Sequence, residues 1–190
     1  MNTRAIIVII LGLLHLGVVG HRVIDSELIL RRGIAFRFQT APVDPYDLFR
    51  GRYVALDFPQ DNIDQTVFAN FPKTDWYERR RIWVAIEADL DGFAKITRWS
   101  DKPMPGENAF AVKAGRYYNG NVRVEFPFTR FFMEESITPE AEAAYRRANT
   151  RGQATRCWAV VRIRNGTALI EDLVIDDVPI QEYVRKTMNQ

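Results

Sequence analysis

The 190-residue chain carries 26 lysines and arginines against 24 aspartates and glutamates, a formal charge of +2, with 47% hydrophobic and 12% aromatic residues. That apolar content excludes wholesale disorder. The near balance of charge, broken only by short clusters at Arg79, Arg80, Arg81 and at Arg146, Arg147, leaves no footprint for a nucleic acid.

The single cysteine, Cys157, excludes an internal disulfide or a thiolate cluster, and its apolar setting "RCWAVVRI" reads as a buried, inert thiol. Both histidines, His15 and His21, belong to the N-terminal segment. The rest of the chain therefore has no histidine for a triad, a His-bearing zinc site or an acid–base pair.

In chain order, the first feature is "MNTRAIIVIILGLLHLGVVGHRVI", apolar from Ala5 to Val19 except at His15. Helical, that run spans about 22 Å, short of a hydrocarbon core roughly 30 Å thick. Continuing to Ile24 supplies the length if His21 and Arg22 sit at the interface. Val18 and Gly20 also suit the small-residue positions before a signal-peptide cut. Residues 1–24 are thus expected to be a membrane anchor or a signal segment. Arg4 favours a cytoplasmic start, while Arg22, Arg31 and Arg32 on the other flank oppose it.

Beyond the anchor the periodicity is two, the mark of half-buried strands. "GIAFRFQT" sets Ile34, Phe36 and Phe38 on one face, and "YVALDF" does so with Val54, Leu56 and Phe58. "IWVAIEADL" sets Ile82, Val84, Ile86, Ala88 and Leu90 opposite Glu87 and Asp89. The second half echoes the first: "AFRFQTA" from Ala35 by "AFAVKAG" from Ala109, "GRYVALDFP" from Gly51 by "GNVRVEFP" from Gly120, and "WVAIEADLDGFAKI" from Trp83 by "WAVVRIRNGTALI" from Trp158. The offsets, about 70 to 75 residues, point to an internal duplication. Asp91-Gly92 and Asn165-Gly166 lie at matching places between alternating runs and are expected to make type I′ hairpin turns. In the irregular segment before the last hairpin, Thr138 as cap, Pro139 in the first turn and Arg146 with Arg147 at the end predict a helix. The expected fold is mainly β: a membrane helix, then two similar small antiparallel β units over residues 25–104 and 105–190, with one or two short helices.

The stretch "PVDPYDLFRGRYVALDF", residues 42–58, concentrates turn-forming residues. Pro42 leads in, Asp44 caps a single helical turn, and Pro45 suits its first position. Asp47 favours the positive helix end, and Gly51 can end the turn in the left-handed region. Tyr53, Leu56 and Phe58 follow in the strand. This stretch resembles the signature of the GDYXXLXY protein family, and "VEFPFTRFFMEE", from Val124, resembles a second block of it. Phe58 replaces the terminal Tyr of the signature, and Arg52 stands where the signature has Asp, so no carboxylate acts there. The resemblance implies a bacterial protein held by one pass in the cytoplasmic membrane, with its domain facing the periplasm or cell exterior. It implies a polytopic membrane protein as partner, and no biochemical activity is assigned to the family.

On this reading the chain is a noncatalytic extracytoplasmic domain binding a membrane-protein or envelope partner, with no cofactor and no metal. Arg50 and Tyr53 are the candidate partner contacts; Pro42, Asp44, Pro45, Asp47, Gly51, Leu56 and Phe58 are scaffold. Tyr46, Phe49, Trp76, Tyr77, Trp83 and Trp99 serve either the core or a recognition surface, since large aromatics do both. The alternatives are a carboxylate-based hydrolase of an envelope polymer, or a small-ligand or metal-binding domain. For the hydrolase, Asp44, Asp47, Asp57, Glu87, Asp89, Glu134 and Glu135 are the acids from which a pair across a cleft would be drawn.

Overall fold

The computed structural model describes residues 2–41, 53–64, 66–67, 80–106, 108–118, 121–150 and 156–188. Its first element is a 30-residue helix, α1 (Thr3–Arg32), about 45 Å long at 1.5 Å per residue. The stretch Ile7–Arg32 is long and apolar enough to cross a membrane. Ile7, Val8, Ile9, Ile10, Leu11, Leu13, Leu14 and Leu16 are all at least half exposed, so no protein surface covers them. The helix runs past the expected boundary at residue 24 because Ile29 is buried against the strands that follow.

The body comprises the strands β1 (Ile34–Gln39), β2 (Tyr53–Ala55), β3 (Asn62–Asp64), β4 (Arg80–Ala88), β5 (Ala94–Ser100), β6 (Ala109–Tyr118), β7 (Asn121–Glu125), β8 (Arg130–Phe132), β9 (Cys157–Arg164), β10 (Thr167–Ile175) and β11 (Val178–Pro179). Helix α2 (Thr138–Ala148) and helix α3 (Ile180–Met188) complete it, with a 3-10 turn at Pro59–Asp61. The ladders are antiparallel in the orders β1-β9-β10-β11, β3-β7-β6-β4-β5 and β2-β8. The protein is therefore mainly β with an N-terminal apolar helix.

Strand pairing does not respect the division at residues 104 and 105. Strand β1 of the first half pairs with β9 of the second, Phe36 opposite Val161, and β6 of the second pairs with β4 of the first, Phe110 opposite Val84. Each half's leading strand thus lies beside the other half's hairpin. Among the described residues its backbone pairs with its own hairpin through a single parallel bridge, Arg37 to Phe93 in one case and Phe110 to Gly166 in the other. The two bridges close β1-β9-β10 and β6-β4-β5 on each other around one core, which Phe36, Phe38, Val84, Ile86, Phe110, Val161 and Ile163 share. The halves interlock instead of forming two separate units.

The echo between the halves extends to irregularities. In β5 the extra residue Thr97 lies between Ile96 and Arg98, whose partners Ile86 and Ala85 are adjacent. In β10 the extra residue Glu171 lies between Ile170 and Asp172, whose partners Val161 and Val160 are adjacent. These bulges have the same spacing as the turn glycines Gly92 and Gly166, and bulges are specific backbone features, not products of alternation. The tryptophans at matching positions follow the exchange as well. The Trp83 ring lies on Gly166 of the other half's turn, and Trp158 packs edge-on against Phe93 with centroids 6.3 Å apart.

Two local expectations are corrected. Asn165 and Gly166 have φ of 48° and 79°, as a type I′ turn needs, but at the first hairpin only Gly92 (81°) is positive. Its loop is one residue longer, and the Asp89 carboxylate ties it by accepting from the Asp91 and Phe93 amides at 3.0 and 2.8 Å. Thr138 does not cap α2; it is fully buried as the first helical residue, and its hydroxyl donates to the Glu134 carbonyl at 2.8 Å. A second tight turn, Asp176-Asp177 with φ of 49° and 65°, joins β10 to β11 without any glycine.

Candidate functional site

The signature strand sorts its own residues by face. Val54, Leu56 and Phe58 are 0%, 5% and 2% exposed, while Tyr53, Ala55 and Asp57 face outward, so the signature's Leu and final aromatic are core residues. Phe58 enters an aromatic cluster, with ring centroids 6.0 Å from Phe38, 5.7 Å from Phe126 and 5.5 Å from Phe128. Such edge-to-face contacts fix ring orientations. Leu56 and Phe58 thus pack into the core.

Tyr53 is the outward member. Strand β2 pairs with β8 so that Tyr53 lies opposite Phe132, Val54 opposite Phe131 and Ala55 opposite Arg130. Val54 and Phe131 point inward, which puts Tyr53, Arg130 and Phe132 together on the outer face. The Tyr53 and Phe132 rings are 5.6 Å apart, and the Arg130 guanidinium lies 5.0 Å from the Tyr53 centroid. Phe132 is 66% exposed, a large aromatic left in water beside a Tyr and an Arg. Tyr, Trp and Arg are the residues most enriched at binding hot spots. The described end of the first family-like segment, 53–58, and the second segment, 124–135, thus pair in space through β2 and β8 and build this face jointly.

An open groove of about 720 Å³ adjoins it, lined by Arg81, Lys113, Glu125, Phe126, Arg130 and Phe132. A second hollow of about 460 Å³ shares Lys113, Glu125 and Phe126 and adds Asp57, Asp61 and Arg123. Arg123 Nε donates to Asp61 at 2.8 Å and its NH2 reaches Asp57 at 3.4 Å. Burial pushes the Asp61 carboxyl above its ordinary range, although Arg123 opposes the shift. Asp61 in turn raises Arg123. Gly115 lets the strands approach here, since a β-carbon on it would stand 2.8 Å from the Arg123 carbonyl oxygen.

The end of β1 is held from a third direction. The buried Tyr145 of α2 donates its hydroxyl to the Ala41 carbonyl at 2.8 Å, and the Ala41 amide donates to the Asp57 carbonyl at 2.8 Å. Thr40 Oγ1 lies 3.0 Å from both Asn149 Oδ1 and the Cys157 carbonyl oxygen, which share its one hydroxyl proton. Burial raises the Tyr145 hydroxyl and the Cys157 thiol above their ordinary values, so both stay protonated.

Of the expected site residues, Pro42, Asp44, Pro45, Asp47, Arg50 and Gly51 lie outside the described residues, as do Tyr46, Phe49, Arg52, Trp76 and Tyr77. Trp83 and Trp99 are half-buried. Among the described acids proposed for a hydrolase, Asp57 shares Arg123 with Asp61, Asp89 ties a turn, and Glu134 accepts from Ser136 at 2.7 Å. Among the described residues no group of three or more His, Cys, Asp and Glu side chains is arranged to hold a metal. The chain's alternation left Arg130 and Phe132 unmarked as site residues; the signal that could have found them is the second family-like block, in which they stand.

The comparison with curated proteins found no match, and neither did the comparison with solved structures. The model of one family, described as GDYXXLXY protein, matches residues 15–173, which include the apolar helix's second half, the signature strand and both hairpins. The chain belongs to the GDYXXLXY family.

Proposed function

We propose that the protein is a noncatalytic, membrane-anchored domain outside the cytoplasm that binds a polytopic membrane protein through the Tyr53–Arg130–Phe132 face. The observation that carries this reading is the meeting of Tyr53 from the first family-like block with Arg130 and Phe132 from the second on one exposed aromatic and cationic surface, while Val54, Leu56 and Phe58 point into the core. Helix α1 supports the anchoring, because its exposed apolar length matches a bilayer and its end is fixed to β9. The anchor holds the face near the bilayer, where an integral membrane partner presents its loops.

A photoreactive phenylalanine at position 132, irradiated in intact bacterial membranes, tests the partner. Capture of one polytopic membrane protein, lost in Tyr53→Ala, is the expected result; cross-links only to lipid or to no neighbour would refute it. Digestion of the domain by protease added to spheroplasts checks the side of the membrane.

A further inference from the structure

Four arginines crowd the junction between α1 and the barrel, and their acids are unequally shared. Arg31 pairs with Glu27 at 2.6 Å, and Arg162 pairs with Glu171 at 2.7 Å while its NH1 donates to the Gly33 carbonyl at 3.1 Å. Among the described residues, Arg32 and Arg164 have no ion-pair partner. These two line one cavity of about 490 Å³, together with Ile34, Trp83, Met104 and Gly166, and none of the described residues lining it is acidic. That volume lies within the range of small-ligand sites. Ile34 is 54% exposed, and the Arg81 guanidinium lies 6.0 Å from the Trp83 ring.

We propose that this cavity binds the phosphate of an anionic phospholipid headgroup, with Arg32 and Arg164 as the cationic ligands and Trp83 and Ile34 as its apolar wall. The proposal rests on α1 spanning the membrane. A hydrocarbon core roughly 30 Å thick takes about 20 helical residues, so a span beginning at Ala5 ends near Ile24. Arg32 then stands about 12 Å further along the axis, just beyond the headgroup layer. Side chains on a helix lean towards its N-terminus, so the long Arg32 side chain leans back towards the bilayer. Arginine, tryptophan and an exposed aliphatic side chain at that depth are the combination that lipid headgroups and the interface select. The shared chemistry is a phosphate anion; commitment to lipid follows from the cavity's position at the foot of the anchor and from its apolar wall.

The test uses the full chain in detergent micelles, with native mass spectrometry reading retained lipid. Phosphatidylglycerol should be retained over phosphatidylcholine, and the double variant Arg32→Gln, Arg164→Gln should lose that preference about thirtyfold, the scale of two arginines at an anionic surface. Millimolar inorganic phosphate or glycerol 3-phosphate should not displace the lipid. Equal retention by the variant, with its circular dichroism unchanged, would overturn the site; displacement by the soluble anions would reassign it to a free phosphate and overturn the lipid source. Flotation with pure phosphatidylcholine vesicles separates the two levels. A chain that floats yet shows no lipid preference sinks the headgroup site alone, whereas a chain that does not float sinks the anchoring as well.

Discussion

The ring of Trp83 lies directly on Gly166, so that a β-carbon on the glycine would stand 2.6 Å from Cη2 and closer still to Cζ3. Gly166 also has a φ of 79°, so its lack of a side chain answers two demands at once. Gly166→Ala should cost the left-handed penalty, about 1–2 kcal/mol, plus an overpacking cost of about 1–3 kcal/mol. Gly92, with φ of 81° and open space around it, bears only the first cost. Urea unfolding of both variants in detergent should therefore show Gly166→Ala clearly the less stable. Equal midpoints would mean that Trp83 moves aside freely.

Tyr145 offers a pH dependence with a definite sign. Its hydroxyl is held protonated in the folded state by burial, while an unfolded tyrosine ionises near pH 10. Above that pH the unfolded chain releases a proton that the folded chain keeps, so stability should fall with rising pH, by up to about 1.4 kcal/mol per unit from this group. Tyr145→Phe should remove that slope and cost about 1 kcal/mol at pH 7 through the hydrogen bond lost at Ala41. Unfolding curves at pH 7, 10 and 11 measure both effects.

The outer face of β2 and β8 should behave as a surface, not as core. A double-mutant cycle between Tyr53→Ala and Phe132→Ala should give a coupling of about 0.5–1.5 kcal/mol for the ring pair. Arg130→Met should remove only the roughly 0.5–1 kcal/mol of an exposed cation–π contact. The variants should remain folded by circular dichroism, and Tyr53→Ala and Arg130→Met should each lose the cross-link from a photoreactive residue at position 132. Global unfolding of Arg130→Met would instead place the residue in the scaffold.

The bulge in β10 has a mechanical role that can be tested separately. Its extra residue, Glu171, takes Arg162 through two bonds of 2.7 and 2.9 Å, and Arg162 holds the carbonyl that follows α1. Glu171→Gln should loosen the angle between helix and barrel without unfolding either. Spin labels at Ser26 and Thr167 should then give a broader distance distribution than in the parent. An unchanged distribution would mean that the packing of Ile29 alone fixes the helix.

The faces of the strands were legible in the sequence because a period of two states which side chains point inward: Phe36, Phe38, Val54, Leu56, Phe58, Ile82, Val84 and Ile86 are all buried. Their neighbours were not legible, because alternation says nothing of which strand lies alongside, and here each half's first strand joins the other half's hairpin. Turn chemistry was legible where glycine marked it and hidden at Asp176-Asp177, where two aspartates adopt the left-handed region unaided. Helix α3 was missed for its brevity, although Ile180 and Val184, one turn apart, are its buried pair. The surface cluster was half legible: Tyr53 belongs to a signature, but its companions Arg130 and Phe132 meet it only through the β2–β8 pairing.

The exchange of leading strands sets a timetable for biogenesis. Phe36 leaves the ribosome long before Val161, its eventual neighbour, and at about 5–20 residues per second the wait is roughly 6–25 s. Throughout that interval an apolar strand sits next to the apolar helix α1 with its hydrogen-bonding edge open. A truncated nascent chain would leave this adhesive edge open to other chains, so correct maturation depends on the last quarter of the polypeptide arriving before a stranger does.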